Sequence, residues 1–234
     1  MATIEATNAY SKRFSEVLPP EHFRQLYGLT VSSIGLGSYL GEASADVDQG
    51  YSASVLRAYE SGCNLFDTAA NYRGGRSEAA FGQALSSKAI NRDEIILATK
   101  GGYLPFDKGF PKSRAELESY LQTDFIEPGY CRPEEIVDSS HCMAPGYLAN
   151  QLDRSLERLG QNSVDIYYLH NPETQLGFIS EDDFLGRLKA AFGLLEAEAA
   201  KGRIGIYGMA TWNGFRTEPG TRGGLSLEKA VNIA

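Results

Sequence analysis

Five short apolar runs, beginning near residues 31, 64, 95, 164 and 203, alternate with stretches whose apolar residues recur at helical spacing. This alternation restricts the fold more than any other feature of the chain. Near-continuous apolar strands need cover on both faces. A strand–helix–strand order provides it when the strands run parallel and the helices pack on the sheet. The runs read as strands are LTVSSIGLG (29–37), CNLFDTA (63–69), EIILATK (94–100), SVDIYYLH (163–170) and RIGIYGMAT (203–211). Helices are expected over 52–62, 77–87, 147–160 and 181–202. In the first, Val55, Ala58 and Tyr59 share a face and Gly62 stops the helix. In the third, Leu148, Leu152, Leu156 and Leu159 form the stripe and Gly160 ends it. The last places Leu185, Leu188, Phe192 and Leu195 on one stripe, with acids early and Lys201 late, as the helix dipole favours.

The third unit is the irregular one. Roughly 45 residues rich in glycine, proline and aromatic side chains separate Lys100 from the next clear helix, a length that in loops is uncommon and often functional. Within it RAELESYLQT has the character of a small helix. Phe106, Phe110, Tyr120, Phe125 and Tyr130 could form an aromatic lid or simply pack the segment down. No internal repeat, low-complexity tract or linker divides the chain. The expected organisation is a polar N-terminal arm over 1–22 and a single domain over 23–234, with a long loop insertion at about 101–146.

The 30 acidic residues outnumber the 22 lysines and arginines, giving a net charge of −8, which argues against nucleic acid or an anionic membrane surface as partner. The polar, acid-containing start lacks the apolar stretch of a secretory signal, and no apolar run approaches a membrane span. The three cysteines, Cys63, Cys131 and Cys142, form no CxxC pair. That sparse, odd count fits a reducing compartment, and a cytoplasmic location is expected.

Three strands end in residues that are costly to bury: Asp67, Lys100 and His170. In a parallel α/β protein the carboxyl ends of the strands share one face, where active sites and ligand crevices lie. Tyr72 leaves the same face, in the loop carrying Arg73 and the Gly74–Gly75 pair. Asp67 can neutralise a buried Lys100. The lysine charge is expected to lower the pKa of a nearby tyrosine from about 10, so that Tyr72 can exchange a proton near neutral pH. His170 can position a carbonyl oxygen. Such a site protonates a carbonyl while hydride comes from a cofactor, since no side chain delivers hydride. Each residue has a plainer reading alone: Asp67 as a loop cap, Tyr72 as one of 13 tyrosines, Lys100 as a surface lysine and His170 as a turn residue before Asn171–Pro172. The constellation is stronger than its members.

The segments FDTAANYRGGRSEAAFGQAL, IILATKGG, SVDIYYLHNPE and GRIGIYGMATWNGF, with LTVSSIGLGSYLGE before them, resemble in order the signature segments of the aldo-keto reductase family, from about residue 23 to the end. The resemblance implies a (β/α)8 barrel, here only its first five β/α units. It implies NAD(P)H-dependent reduction of a small aldehyde or ketone, usually with NADP(H), with NAD(H) as the other candidate. It places a catalytic tetrad on Asp67, Tyr72, Lys100 and His170, with Tyr72 as general acid, Lys100 and Asp67 tuning it, and His170 orienting the carbonyl. It places cofactor contacts on Gly37, Ser38, Tyr39, Asp67 and Thr211.

Two departures stand out. Where the family commonly has a Ser-Asn or Ser-Arg pair after the fifth strand, this chain has Ala210 and Thr211. A complete barrel takes roughly 250 residues or more, so a fragment of a longer reading frame is expected, with an unpaired strand edge that favours self-association. The alternative to an active enzyme is a non-catalytic binding or regulatory protein, or an inactive fragment, on the same scaffold. A Rossmann-type nucleotide binder fits poorly, because Gly35, Gly37 and Gly41 are spaced GxGxxxG rather than GxGxxG. A metal-dependent hydrolase also fits poorly. It would need clustered ligands, and the chain offers three histidines, His22, His141 and His170, so no metal site is expected.

Overall fold

All five expected strands form in the computed structural model, which describes residues 1–234, and they make one parallel sheet in the order β3–β4–β5–β8–β9. These strands are Gly35–Gly37 (β3), Leu65–Asp67 (β4), Ile96–Gly101 (β5), Val164–His170 (β8) and Ile204–Ala210 (β9). Each outer strand, β3 and β9, is paired on one side only. The period-two alternation of a strand divides the sheet into two faces. Leu97, Tyr167 and Leu169 face the helices in the main core, while Ile96, Ala98 and Ile166 face the inside of the curved sheet. Lys100 and His170 share the parity of this inner set, as Asp67 shares that of Leu65.

The helices are Ala45–Glu60 (α2), Arg76–Leu85 (α3), Pro145–Leu159 (α5) and Glu181–Ala200 (α6). Pro145 opens α5 at the position where a missing N–H costs nothing, and Gly160 closes it with φ 61°. The leucine stripe of α5 is buried as its spacing requires. Close packing of α3 on α5 depends on Gly82, since a Cβ there would stand 2.3 Å from the Arg158 carbonyl oxygen. Helix α2 starts seven residues before the expected 52. Ser44 caps it by accepting from the Val47 N–H, and Asp46 and Asp48 occupy its first turn.

Three expectations are corrected. The run 29–37 is not one strand. Phe23–Leu26 (β1) and Leu29–Ser32 (β2) form an antiparallel hairpin, and the sheet strand β3 begins only at Gly35. The hairpin turns at Tyr27 and Gly28, both at positive φ. Val31, Leu26 and Leu29 pack on the inner face of the sheet. Residues 1–22 are not a free polar arm: Ile4–Lys12 form a helix (α1) whose Tyr10 is fully buried and donates to the carbonyl oxygens of Tyr59 at 2.5 Å and Cys63 at 3.1 Å. One buried aromatic is enough to dock a helix that otherwise looks polar.

The segment 101–146 is more than a loop. It contains the helix Arg114–Leu121 (α4) and the two-stranded hairpin Ile136–Val137 (β6) and His141–Cys142 (β7). Phe125 is completely buried against Tyr120 and Tyr147, and Phe106 stacks on Tyr120, so these aromatics pack the segment onto the domain. Phe110 alone of the five is widely exposed. The short helix Leu227–Ile233 (α7) ends the described chain. No helix is long and apolar enough to cross a membrane.

Candidate active site

Asp67, Lys100 and His170 stand side by side because β4, β5 and β8 are neighbours in register: Asp67 pairs with Ala98, and Lys100 with Tyr168. The Lys100 ammonium donates to Asp67 Oδ2 at 2.6 Å and to the Thr68 carbonyl at 2.8 Å, which leaves one of its three donors for the cavity side. The same Nζ lies 4.9 Å from the centre of the Tyr72 ring. The Tyr72 ring meets the His170 imidazole edge-on at 5.6 Å and the Tyr39 ring at 5.1 Å. The four residues expected to act together are thus brought together.

The turn that presents Tyr72 is held from behind. Arg73 and the two following glycines all have positive φ. For Arg73 this is an unfavourable conformation, and its buried guanidinium is fixed by the Glu42 carbonyl at 2.9 Å, the Ser44 carbonyl at 3.2 Å and Asp48 Oδ1 at 2.6 Å. Arg73 therefore faces away from the site and ties the Tyr72 turn to the start of α2.

Electrostatics correct one expectation. Tyr72 is not lowered: burial, with Asp67 and Tyr39 adding to it, pushes its phenol up to about 12. Burial also pulls Lys100 below the ordinary lysine value, opposed by Asp67. Burial, Lys100 and His141 together hold His170 down at about 3, so its imidazole is neutral. At neutral pH the site therefore holds a protonated phenol, a neutral imidazole and a partly desolvated lysine paired to a carboxylate.

Tyr72 and His170 open on a cavity of about 790 Å³, lined among others by Tyr39, Asn71, Tyr103, Asn171, Trp212 and Asn213, while the Lys100 ammonium stands beside the Tyr72 ring outside the lining. Glu173 is a wall residue that the sequence did not single out. Its Oε1 accepts from the backbone N–H groups of Trp212 at 2.7 Å, Asn213 at 3.1 Å and Gly214 at 3.2 Å, fixing the loop after β9. Its Oε2, Asn71 Oδ1 and His170 Nδ1 are buried without a partner in the protein. Only a hint existed for Glu173 in the sequence, its position three residues after a strand-end histidine.

The expected cofactor contacts divide. Gly37 is exposed, with open space where a Cβ would be, and Tyr39 lines the cavity. Ser38 is fully buried, and its hydroxyl is spent on Thr68 Oγ1 at 2.9 Å and the Asp67 carbonyl at 3.4 Å, which closes that side chain to a ligand. Thr211 is not part of the cavity wall, which is formed instead by the next two residues, Trp212 and Asn213. No group of three or more His, Cys, Asp or Glu side chains is placed to hold a metal ion.

Parallel strands that carry ionisable groups at their carboxyl ends, beside one cavity, are those of an α/β protein, and the five-stranded sheet is consistent with part of a barrel. Residues 33–217 match the model of the aldo/keto reductase family, and the chain belongs to that family. It is 29% identical over 200 residues to L-galactose dehydrogenase of Arabidopsis thaliana, covering 83% of this chain and 51% of that protein. Among solved structures it is similar to an aldo-keto reductase from Bacillus halodurans in its holo form, with a TM-score of 0.54 and 25% identity over 81% of this chain and 50% of the other. It also shares its fold with glycerol dehydrogenase from Gluconobacter oxydans, with a TM-score of 0.58 and 18% identity over 92% of this chain and 53% of the other. The chain spans about half the length of the curated relative it matches.

The cavity fits a nicotinamide group. A carboxamide offers two N–H donors, and the buried, unpartnered Asn71 Oδ1 and Glu173 Oε2 are acceptors in its wall. Gly37 leaves room for close approach at the end of β3.

Proposed function

We propose that the chain carries the reducing site of an NAD(P)H-dependent oxidoreductase, which converts an aldehyde or ketone to an alcohol, or the reverse, with NADP(H) as the preferred cofactor. The observation that carries this reading is that Tyr72 and His170 meet in the wall of one cavity, with the Lys100–Asp67 pair against the Tyr72 ring. When bound, the nicotinamide supplies or accepts hydride. Gly37, Tyr39, Asn71, Trp212 and Asn213 would hold it.

Tyr72 gives the proton. A phenol raised to about 12 is fully protonated at neutral pH. An alkoxide is a far stronger base, so proton transfer from Tyr72 Oη to the oxygen of the reduced substrate runs downhill. The Lys100 charge beside the ring stabilises the phenolate left behind, and Asp67 keeps that charge in place. Neutral His170 can donate a hydrogen bond to the carbonyl oxygen without competing for the proton. Burial of the Lys100 and His170 side chains strengthens each of these interactions. The likeness to L-galactose dehydrogenase supports a small polyhydroxylated substrate.

The test is a fluorescence titration of NADPH into the 234-residue chain, followed by turnover of a panel of small aldehydes. Saturable binding with turnover is expected. Tyr72→Phe should lower kcat by roughly 10²-fold or more while leaving NADPH binding within about twofold. Unchanged turnover in that variant would refute the role of Tyr72. No cofactor binding by the chain would favour the reading of a non-catalytic scaffold.

A further inference from the structure

One fully buried titratable group without a role in this chemistry is His141, near the end of the 101–146 segment. It has no exposed surface and stands directly behind His170. Its hydrogen-bond polarity can be deduced from one end. Arg187, on α6, can only donate, and its Nη1 lies 2.7 Å from Gln175 Oε1. That fixes the Gln175 amide with its Nε2–H₂ toward His141 Nδ1, at 3.0 Å. Nδ1 must then be the acceptor, so the imidazole proton sits on Nε2. Nε2 is 2.8 Å from the carbonyl oxygen of His170 and donates to it. Each link has only one polarity that works, and all of them are satisfied.

The surroundings are shaped for this contact. Gly102 has φ 142°, and a Cβ there would stand 2.9 Å from His141 Nε2 and 3.0 Å from the His170 carbonyl oxygen, so a side chain would wedge the two apart. The Tyr103 ring stands edge-on to both imidazoles, 5.0 Å from His141 and 5.1 Å from His170. Its hydroxyl is 2.9 Å from Thr174 Oγ1. Arg187 also donates to the carbonyl oxygens of Glu134 at 2.9 Å and Glu135 at 3.2 Å, so the same guanidinium clamps the segment at its far side. Burial keeps the His141 ring neutral, with its pKa down at about 4.

We propose that His141 is a positioning residue: through its Nε2–H on the His170 carbonyl, backed by Gln175 and Arg187, it couples the inserted segment 101–146 to the orientation of the His170 imidazole. The segment thereby acts as a buttress for the reacting end of β8 as well as a wall of the cavity. The proposal rests on the proposed role of His170 in orienting the substrate carbonyl, but the hydrogen-bond chain itself can be read without turnover.

The experiment is long-range ¹H–¹⁵N NMR of the imidazoles at pH 7 in the full chain, where three histidines make assignment direct. His141 is expected as the neutral Nε2–H tautomer. Gln175→Glu, nearly isosteric, replaces the donor facing Nδ1 by an acceptor and should move the proton to Nδ1 or make His141 a cation, shifting the His170 ring signals with it. His141→Leu should shift the same His170 signals and lower kcat about tenfold or more, with NADPH affinity within about twofold, because a small misplacement of an orienting group acts on the chemical step. His141→Gln keeps a donor near the Nε2 position and should recover most of kcat. An Nδ1–H tautomer or a cation in the wild-type chain would overturn the proposal. So would His170 signals unmoved by both Gln175→Glu and His141→Leu. If the wild-type chain turns over no substrate, the reductase reading fails, while the NMR comparison still decides the coupling.

Discussion

The Lys100–Asp67 pair gives a prediction that can be worked from distances. The ammonium and carboxylate are 2.6 Å apart. Two unit charges at that separation attract by about 6 kcal/mol at an effective dielectric constant of 20 and by about 1.6 kcal/mol in bulk water. The lysine side chain is only 7% exposed, but the aspartate side chain is 38% exposed, so water screens one end of the pair. Solvation of both ions on unfolding reduces the net term further, and a value of about 2 kcal/mol follows. Asp67→Asn preserves shape and leaves Lys100 with the Thr68 carbonyl as its remaining fixed acceptor. The variant should therefore unfold in urea with stability lower by about 2 kcal/mol at pH 7, a midpoint shift of roughly 1 M for a chain of this size. It should also lose activity, because Asp67 is what opposes the downward pull of burial on Lys100. Without it the lysine charge beside Tyr72 is weakened at neutral pH. An unchanged midpoint together with unchanged turnover would show that the pair is neither held nor used as described, and would refute the reasoning.

Three further outcomes follow from the same structure. His141 and His170 have native pKa values near 4 and 3, below the roughly 6.5 of an unfolded histidine, so the unfolded chain binds more protons as pH falls below that value; stability should drop from about pH 6.5 downward, and His141→Gln should flatten part of the slope in urea titrations at pH 7.5, 6 and 5. Phe125→Ala, in a completely buried ring, should cost about 3–5 kcal/mol, whereas Phe110→Ala, at 73% exposure, should change the unfolding midpoint by less than about 0.5 kcal/mol; equal effects would contradict the packing role given to these aromatics. Glu173→Ala removes the acceptor shared by the N–H groups of Trp212, Asn213 and Gly214, and their hydrogen exchange should speed up roughly tenfold while that of β8 stays within about twofold.

Much of the site was legible in the sequence because its members sit at strand ends. Strand direction and two-residue periodicity are local properties, and in a parallel sheet they already place Asp67, Lys100 and His170 on one face at one end. Tyr72 follows in the loop leaving that face, the aldo/keto reductase resemblance implied its role, and the structure brings all four together. The helix stripes of α5 and α6 were equally plain, since a 3.6-residue period and its stop signals need no knowledge of the partner.

What the sequence could not decide depends on desolvation and on contacts between distant segments. The run 29–37 reads as one strand although Ser33–Ile34 break it, at a point where the Asn64 side chain, a distant residue, accepts from the Ser32 N–H at 2.8 Å. Helix α1 looks solvent-exposed until Tyr10 meets Tyr59 across 49 positions. The Tyr72 phenol was expected to be lowered by the neighbouring lysine. The structure raises it, through burial first and then through the Asp67 carboxylate and Tyr39. His141 and Gln175 carry no motif, and Glu173 is only the last residue of the SVDIYYLHNPE segment. Their roles arise only when separate segments close around the carboxyl end of β8 and bury their polar groups there. The order of the units and the chemistry at the strand ends were therefore determined by the sequence, through local periodicity. The protonation states and the support of the site were decided by the tertiary structure, because both depend on how much water long-range packing excludes.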